Sequence, residues 1–187
     1  MPNTGSRMRA FTLVELLVVI AIMLILASLS YAGIILGRDI AKRGACISNL
    51  KQIGLAATCF AMESETRSYP WAGENATATD HMNLLVQKSE RLVPELFLCP
   101  ASSGKVRAKE DENGRFTLTK ENCSYGWSRL PLSDEDGARR ILVADAAIRN
   151  GDSPVKDNHR GGLCVYRIGG SAEYVRASRV PEELVSP

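Results

Sequence analysis

The chain has 187 residues, 45% of them hydrophobic and 24% charged, with 23 Lys and Arg against 21 Asp and Glu for a net charge of +2. That balance supplies no basic field for a polyanion, so nucleic-acid binding is not expected, and the apolar content excludes a disordered chain. Setting aside the apolar N-terminal segment leaves roughly 150 residues, the size of one compact domain.

From Leu16 to Leu36 run 21 residues without a charge, dominated by Leu, Ile, Val and Ala. At about 1.5 Å per residue such a helix is roughly 31 Å long, matching the hydrocarbon core of a bilayer. A cleaved secretory signal has a shorter apolar stretch ending in small residues, so this segment is expected to be retained as a span. Basic residues flank it on both sides, Arg7 and Arg9 before it and Arg38, Lys42 and Arg43 after it, so the positive-inside rule is close to a tie. The long Cys-bearing part beyond the span decides for a cytoplasmic N terminus and an exported remainder. Glu15 conflicts with its surroundings. An acidic residue at mid-membrane costs about 2.5 to 3.5 kcal/mol, less near the interface, and calls for a partner. Either Glu15 snorkels to the headgroups, or it pairs with a cation supplied by another copy of the chain.

Arg7-x-Arg9-Ala10 followed by Phe11-Thr-Leu-Val-Glu15-Leu-Leu-Val-Val-Ile20 resembles the cleavage and methylation signature of type IV prepilins and type II secretion pseudopilins, over roughly residues 7 to 36. The resemblance implies that a prepilin peptidase of the inner membrane cuts between Ala10 and Phe11 and methylates the new amine of Phe11. It further implies that Glu15 then pairs with the Phe11 amine of a neighbouring subunit. Ala10 stands where the family usually has Gly, and processing is still expected. Cys46-Ile-Ser-Asn49-Leu-Lys-Gln52-Ile-Gly54, Tyr69-Pro70 and Phe97-Leu-Cys99-Pro100 look like a second, larger pilin-like family whose hallmark is a His-Gly-Gly segment leading to Asp-Gly-His. Here His159, Gly161, Gly162 and Gly170 remain, but Gly169 replaces the Asp and Ser171 the second His, so no role of that Asp carries over.

Beyond the span, Cys46, Leu50, Ile53, Ala57 and Phe60 recur at helical spacing, which predicts an amphipathic continuation of the same helix over about 38–65. Gly33, Gly37, Gly44 and Gly54 mark bends or close contacts along it. Ser68-Tyr69-Pro70 ends it. Asp80 is predicted to cap a short helix reaching Arg91, with Met82, Leu85, Val86 and Leu92 buried and Pro94 closing it. Residues 101–115 read as a solvated loop. Strands are predicted at Phe116–Thr119, Ile141–Ala144, Leu163–Ile168 and Ala172–Arg176. The last two form a hairpin, Gly169-Gly170 supplying positive φ angles, with Cys164, Tyr166 and Ile168 inward and the other face wetter. The expected fold is α+β and pilin-like: a long N-terminal helix, half transmembrane and half amphipathic, packed on a small antiparallel sheet. Residues 1–10 are expected to be a cytoplasmic leader, 11–37 the transmembrane and assembly helix, and 38–187 a periplasmic domain.

The five cysteines are 46, 59, 99, 123 and 164, and an odd number leaves at least one unpaired. Cys99 and Cys123 flank the polar loop and are the candidate bridge, while Cys46 and Cys59 on the helix are expected to be small buried residues. Local spacing predicts no metal centre, because there is no Cys-x-x-Cys and His81 and His159 are far apart. Asp145, Asp152 and Asp157 with Asn158 supply oxygens of the kind calcium uses, although they match no fixed loop, and a solvated turn is the favoured reading. Cys164, His159 and Asp145 provide a nucleophile, base and orienter by type alone, without an elbow or oxyanion motif, so no enzyme and no cofactor is expected. The function expected is a structural subunit of a type II secretion pseudopilus or type IV pilus-like filament. Its partners are the prepilin peptidase, the bilayer, other copies or related subunits, and an inner-membrane assembly platform. The competing reading is a membrane-tethered binding module that never polymerises.

Overall fold

The computed structural model describes residues 11–89, 91–145, 159, 161–176 and 184–185, and the chain divides into two compact units at the Arg38/Asp39 boundary. Helix α1 spans Leu13–Glu63. In the first unit its described side chains are all exposed. The most apolar 18-residue window has a mean hydropathy of 2.7 and none of it is buried. By length and composition α1 can cross a membrane.

In the second unit α1 changes character. Cys46, Leu50, Ile53, Ala57 and Ala61 are completely buried, three and four residues apart as one face of a helix requires, while Leu55 and Met62 on other faces stay exposed. Phe60, expected on the buried face, is only partly covered. Past Glu63 the chain turns through Arg67, whose φ of 50° lies in the left-handed region, and Pro70 bars a return to helix. Arg67 Nε donates to Asp134 Oδ2 at 2.7 Å, which fastens this exit to a distant loop.

Helix α2 spans Ala78–Lys88, and its N-cap is Thr77 rather than the predicted Asp80. Asp80 is the third helical residue, completing a capping box in which its carboxylate accepts from the Thr77 N–H at 2.8 Å. Thr-x-x-Asp is thus the true start signal here. α2 buries His81, Met82 and Leu85 and packs against the segment Gly126–Ser128, and Val86 is partly covered. It ends at Lys88, short of Arg91, and a 3-10 turn at Pro94–Phe97 follows.

The strands are β1 Gly126–Ser128, β2 Ile141–Ala144, β3 Gly162–Arg167, β4 Ala172–Arg176 and β5 Leu184–Val185. They form an antiparallel sheet in the order β4-β3-β2-β1-β5. The strand predicted at Phe116–Thr119 is not formed. Its backbone is satisfied by a side chain instead: Leu118 N–H donates to Asn83 Oδ1 at 2.8 Å and Leu118 C=O accepts from Asn83 Nδ2 at 3.0 Å. β3 is buried on both faces. Cys164 and Tyr166 enter the main core, whereas Leu163 and Val165 join Ile141 and Ala144 in a second apolar cluster on the face predicted to be wetter.

The β3–β4 turn places only Gly170 at positive φ, 83°. Gly170 N–H donates to Arg167 C=O and Arg167 N–H to Ser171 C=O, each at 2.9 Å, the pattern of a three-residue hairpin loop with a glycine bulge. Gly169 serves a different need, since a Cβ there would meet Ala138 at 2.9 Å.

Candidate functional site

Among the described residues two features carry chemistry, the start of α1 and a buried polar cluster in the second unit. At the start of α1, Glu15 Oε2 accepts from Thr12 N–H at 2.9 Å and Thr12 Oγ1 at 2.8 Å, while Glu15 N–H donates to Thr12 Oγ1 at 3.3 Å. This reciprocal pair is a capping box. Its sequence signal is Thr12-x-x-Glu15, which gives Glu15 a local partner in addition to the headgroup or neighbouring-copy partners expected above. Phe11, next to it, is exposed. Ala10 lies outside the described residues.

The buried cluster gathers residues that the sequence holds far apart. Cys46 comes from the middle of α1, Cys99 from just after the 3-10 turn, Asp145 from the end of β2, and His159 from an isolated bridge with Gly162 before β3. All four are buried, and their ligand-type atoms lie within 4.8 Å of one another. Asp145 Oδ2 accepts from Cys46 Sγ at 3.4 Å and lies 3.1 Å from His159 Nε2, which is itself 3.4 Å from Cys99 Sγ. Asp145 Oδ1 accepts from Cys164 N–H at 3.0 Å. The Cys164 sulfur donates to the Arg43 carbonyl at 3.9 Å, and the Tyr125 hydroxyl is 3.7 Å from Cys46 Sγ.

The cluster perturbs its own titrations. The contact with Cys46 is the largest influence on Cys99 and brings its thiol down to about 5; burial opposes this, and His159 and the Ala101 N–H assist it. Burial works against a charged His159, yet its contacts with Asp145, Cys164 and Cys99 outweigh that and raise it to about 12. Cys46 moves up, pushed by its contacts with Cys164 and Cys99 and by burial.

These positions revise the sequence expectations. The Cys99–Cys123 bridge is not formed: both are free thiols, Cys99 facing His159 and Cys123 lying 3.6 Å from Met82 Sδ. Cys46 is buried as expected, but Cys59 is exposed. Asp145 sits among sulfur and imidazole, which does not suit calcium's demand for oxygen ligands, and Asp152 and Asp157 lie outside the described residues. A relay through His159 would need acid and thiol on opposite ring nitrogens. Here Asp145 and Cys99 both approach Nε2, and the sulfur of Cys164, the nucleophile by type, donates to the Arg43 carbonyl.

Residues 5–31 match the model of the prokaryotic N-terminal methylation motif. The N-terminal segment thus carries a prepilin-type motif, and the α+β fold is consistent with a pilin-like protein. No curated protein and no solved structure matches the chain. Behind that motif, one helix among the described residues is long and apolar enough to cross a membrane.

Proposed function

We propose that this pilin-like protein is a structural subunit of a type II secretion pseudopilus or type IV pilus-like filament, anchored by 11–37 until a prepilin peptidase removes residues 1–10 and methylates Phe11. The observation that carries this reading is the exposure of the apolar half of α1 at its described side chains, from Leu13 at 79% to Leu29 at 71% and from Ile34 at 53% to Leu36 at 64%, directly behind the methylation motif. Such a surface is covered by lipid or by like helices, and the two are nearly equivalent solvents for it. A subunit therefore leaves the inner membrane for a filament without exposing its helix to water, with the second unit on the periplasmic side. Glu15 supplies register: a neighbour that slipped would leave its carboxylate unpaired among apolar side chains.

The deciding experiment is intact and N-terminal peptide mass spectrometry of the protein extracted from its native membrane. A chain starting at Phe11 with one added methyl group is the expected result. A chain starting at Met1, in a host that has the peptidase, would sink the filament reading in favour of a permanent tether.

A further inference from the structure

We propose that Cys46, Cys99, Asp145 and His159 form a closed structural zinc site that staples α1 to the sheet. Tetrahedral zinc holds sulfur at about 2.3 Å and nitrogen or oxygen at about 2.0–2.1 Å, which sets ligand-to-ligand edges of about 3.5 Å for S···N and S···O and about 3.3 Å for N···O. Three of the six edges are 3.4 Å for Cys99 Sγ to His159 Nε2, 3.4 Å for Cys46 Sγ to Asp145 Oδ2, and 3.1 Å for His159 Nε2 to Asp145 Oδ2, and all six lie within 4.8 Å. Each agrees to within a few tenths of an ångström.

The donor set points to the same class of ion. Two sulfurs with an imidazole nitrogen and one carboxylate oxygen are borderline-soft ligands, suited to zinc and not to calcium or magnesium. Every ligand residue is buried, the most exposed being His159 at 4%, so the site has no open position of the kind a catalytic zinc keeps. The surrounding groups orient the ligands as a metal site requires. Cys164 N–H holds the far oxygen of Asp145, and Tyr125 Oη lies beside the Cys46 sulfur.

Two other uses of the cluster fit less well. No disulfide is formed, Cys46, Cys99 and Cys164 all being free thiols. A catalytic relay fails on the shared ring nitrogen. A divalent cation instead takes the place of the protons shared among these groups, and its binding energy adds directly to folding. The four ligands come from α1, the segment after the 3-10 turn, the end of β2 and the bridge before β3, so one ion fixes the helix to three separate stretches of the domain.

The test uses the full chain in detergent, purified under reducing conditions without chelator. Elemental analysis is expected to find about one zinc per chain, lost in Cys46→Ser and Cys99→Ser and retained in Cys59→Ser, whose thiol is exposed. Because the first two variants can fail by unfolding, the unsubstituted chain carries a second readout. Exchange with cobalt is expected to give the intense visible bands of a tetrahedral site and near-ultraviolet charge transfer from two thiolates. A chain that binds neither zinc nor cobalt, or a disulfide between any two of Cys46, Cys99 and Cys164 in protein taken directly from the membrane, would overturn the site. Charge transfer of three-thiolate intensity would overturn Asp145 as a ligand in favour of Cys164.

Discussion

The Tyr166 ring packs so closely on α1 at Gly54 that a Cβ at that position would sit 2.3 Å from Tyr166 Cε1. The contact is locked at the ring's far end, where Tyr166 Oη lies 3.3 Å from Thr58 Oγ1, one helical turn on. In an unpacked helix Gly54→Ala would gain about 1 kcal/mol. Here overpacking costs about 1–3 kcal/mol, so a net loss of stability is expected. Denaturant titration checks it, and the same substitution in a Tyr166→Leu background should lose its penalty. An equal cost in both backgrounds would show that Tyr166 is not the obstacle.

Glu15 has two candidate jobs, capping α1 through Thr12 and pairing with a neighbour's amine, and one substitution separates them. Gln serves a capping box as well as Glu does but carries no charge. If pairing governs assembly, Glu15→Gln should insert normally and be lost from filaments as completely as Glu15→Val, while Thr12→Val still assembles. Normal incorporation of Glu15→Gln, read by shearing and immunoblotting of filaments, would assign Glu15 to the cap alone.

The long helix, its buried face and the β3–β4 hairpin could be read from the chain because their signals are periodic and local. Cys46, Leu50, Ile53 and Ala57 repeat with the helix itself, and Gly169-Gly170 marks its own turn. The Phe116–Thr119 strand failed because β-propensity does not reveal that Asn83, from another element, takes up the backbone bonds of Leu118. The burial of Val165 on the second face of β3 likewise depends on Ile141. The Cys46, Cys99, Asp145 and His159 cluster had no local signature. Its members come from four segments, too far apart in the chain for any short ligand spacing to mark them.

The capping box of α2 should be measurable by itself. Thr77→Ala removes the acceptor for Asp80 N–H and a donor to the Asp80 carboxylate, and N-cap losses of this kind cost about 1 kcal/mol. Thr77→Ser keeps both groups and should be close to neutral. Amide hydrogen exchange should localise the Thr77→Ala effect to the first turn of α2. Faster exchange spread evenly over the domain would argue against a capping role.

His81 predicts an acid-side loss of stability. Its ring stacks on Trp71 with centroids 4.6 Å apart and faces Trp127 at 6.4 Å. The Ala72 N–H donates to Nδ1 at 2.9 Å, which assigns the proton to Nε2. Burial holds the pKa below its ordinary 6.5, against the opposing pull of Asp80. A second proton would have to enter at Nδ1 and displace the Ala72 bond. The folded pKa is therefore lower than the unfolded one, and over that interval the unfolded chain binds more protons. The stabilisation is complete above 6.5 and is lost as the pH falls through the folded value. Thermal melts of the native chain and of His81→Phe, which keeps an aromatic ring between the tryptophans, should diverge in slope below about pH 6.5. Parallel curves through that range would mean that His81 titrates alike in both states, and the burial argument would fail.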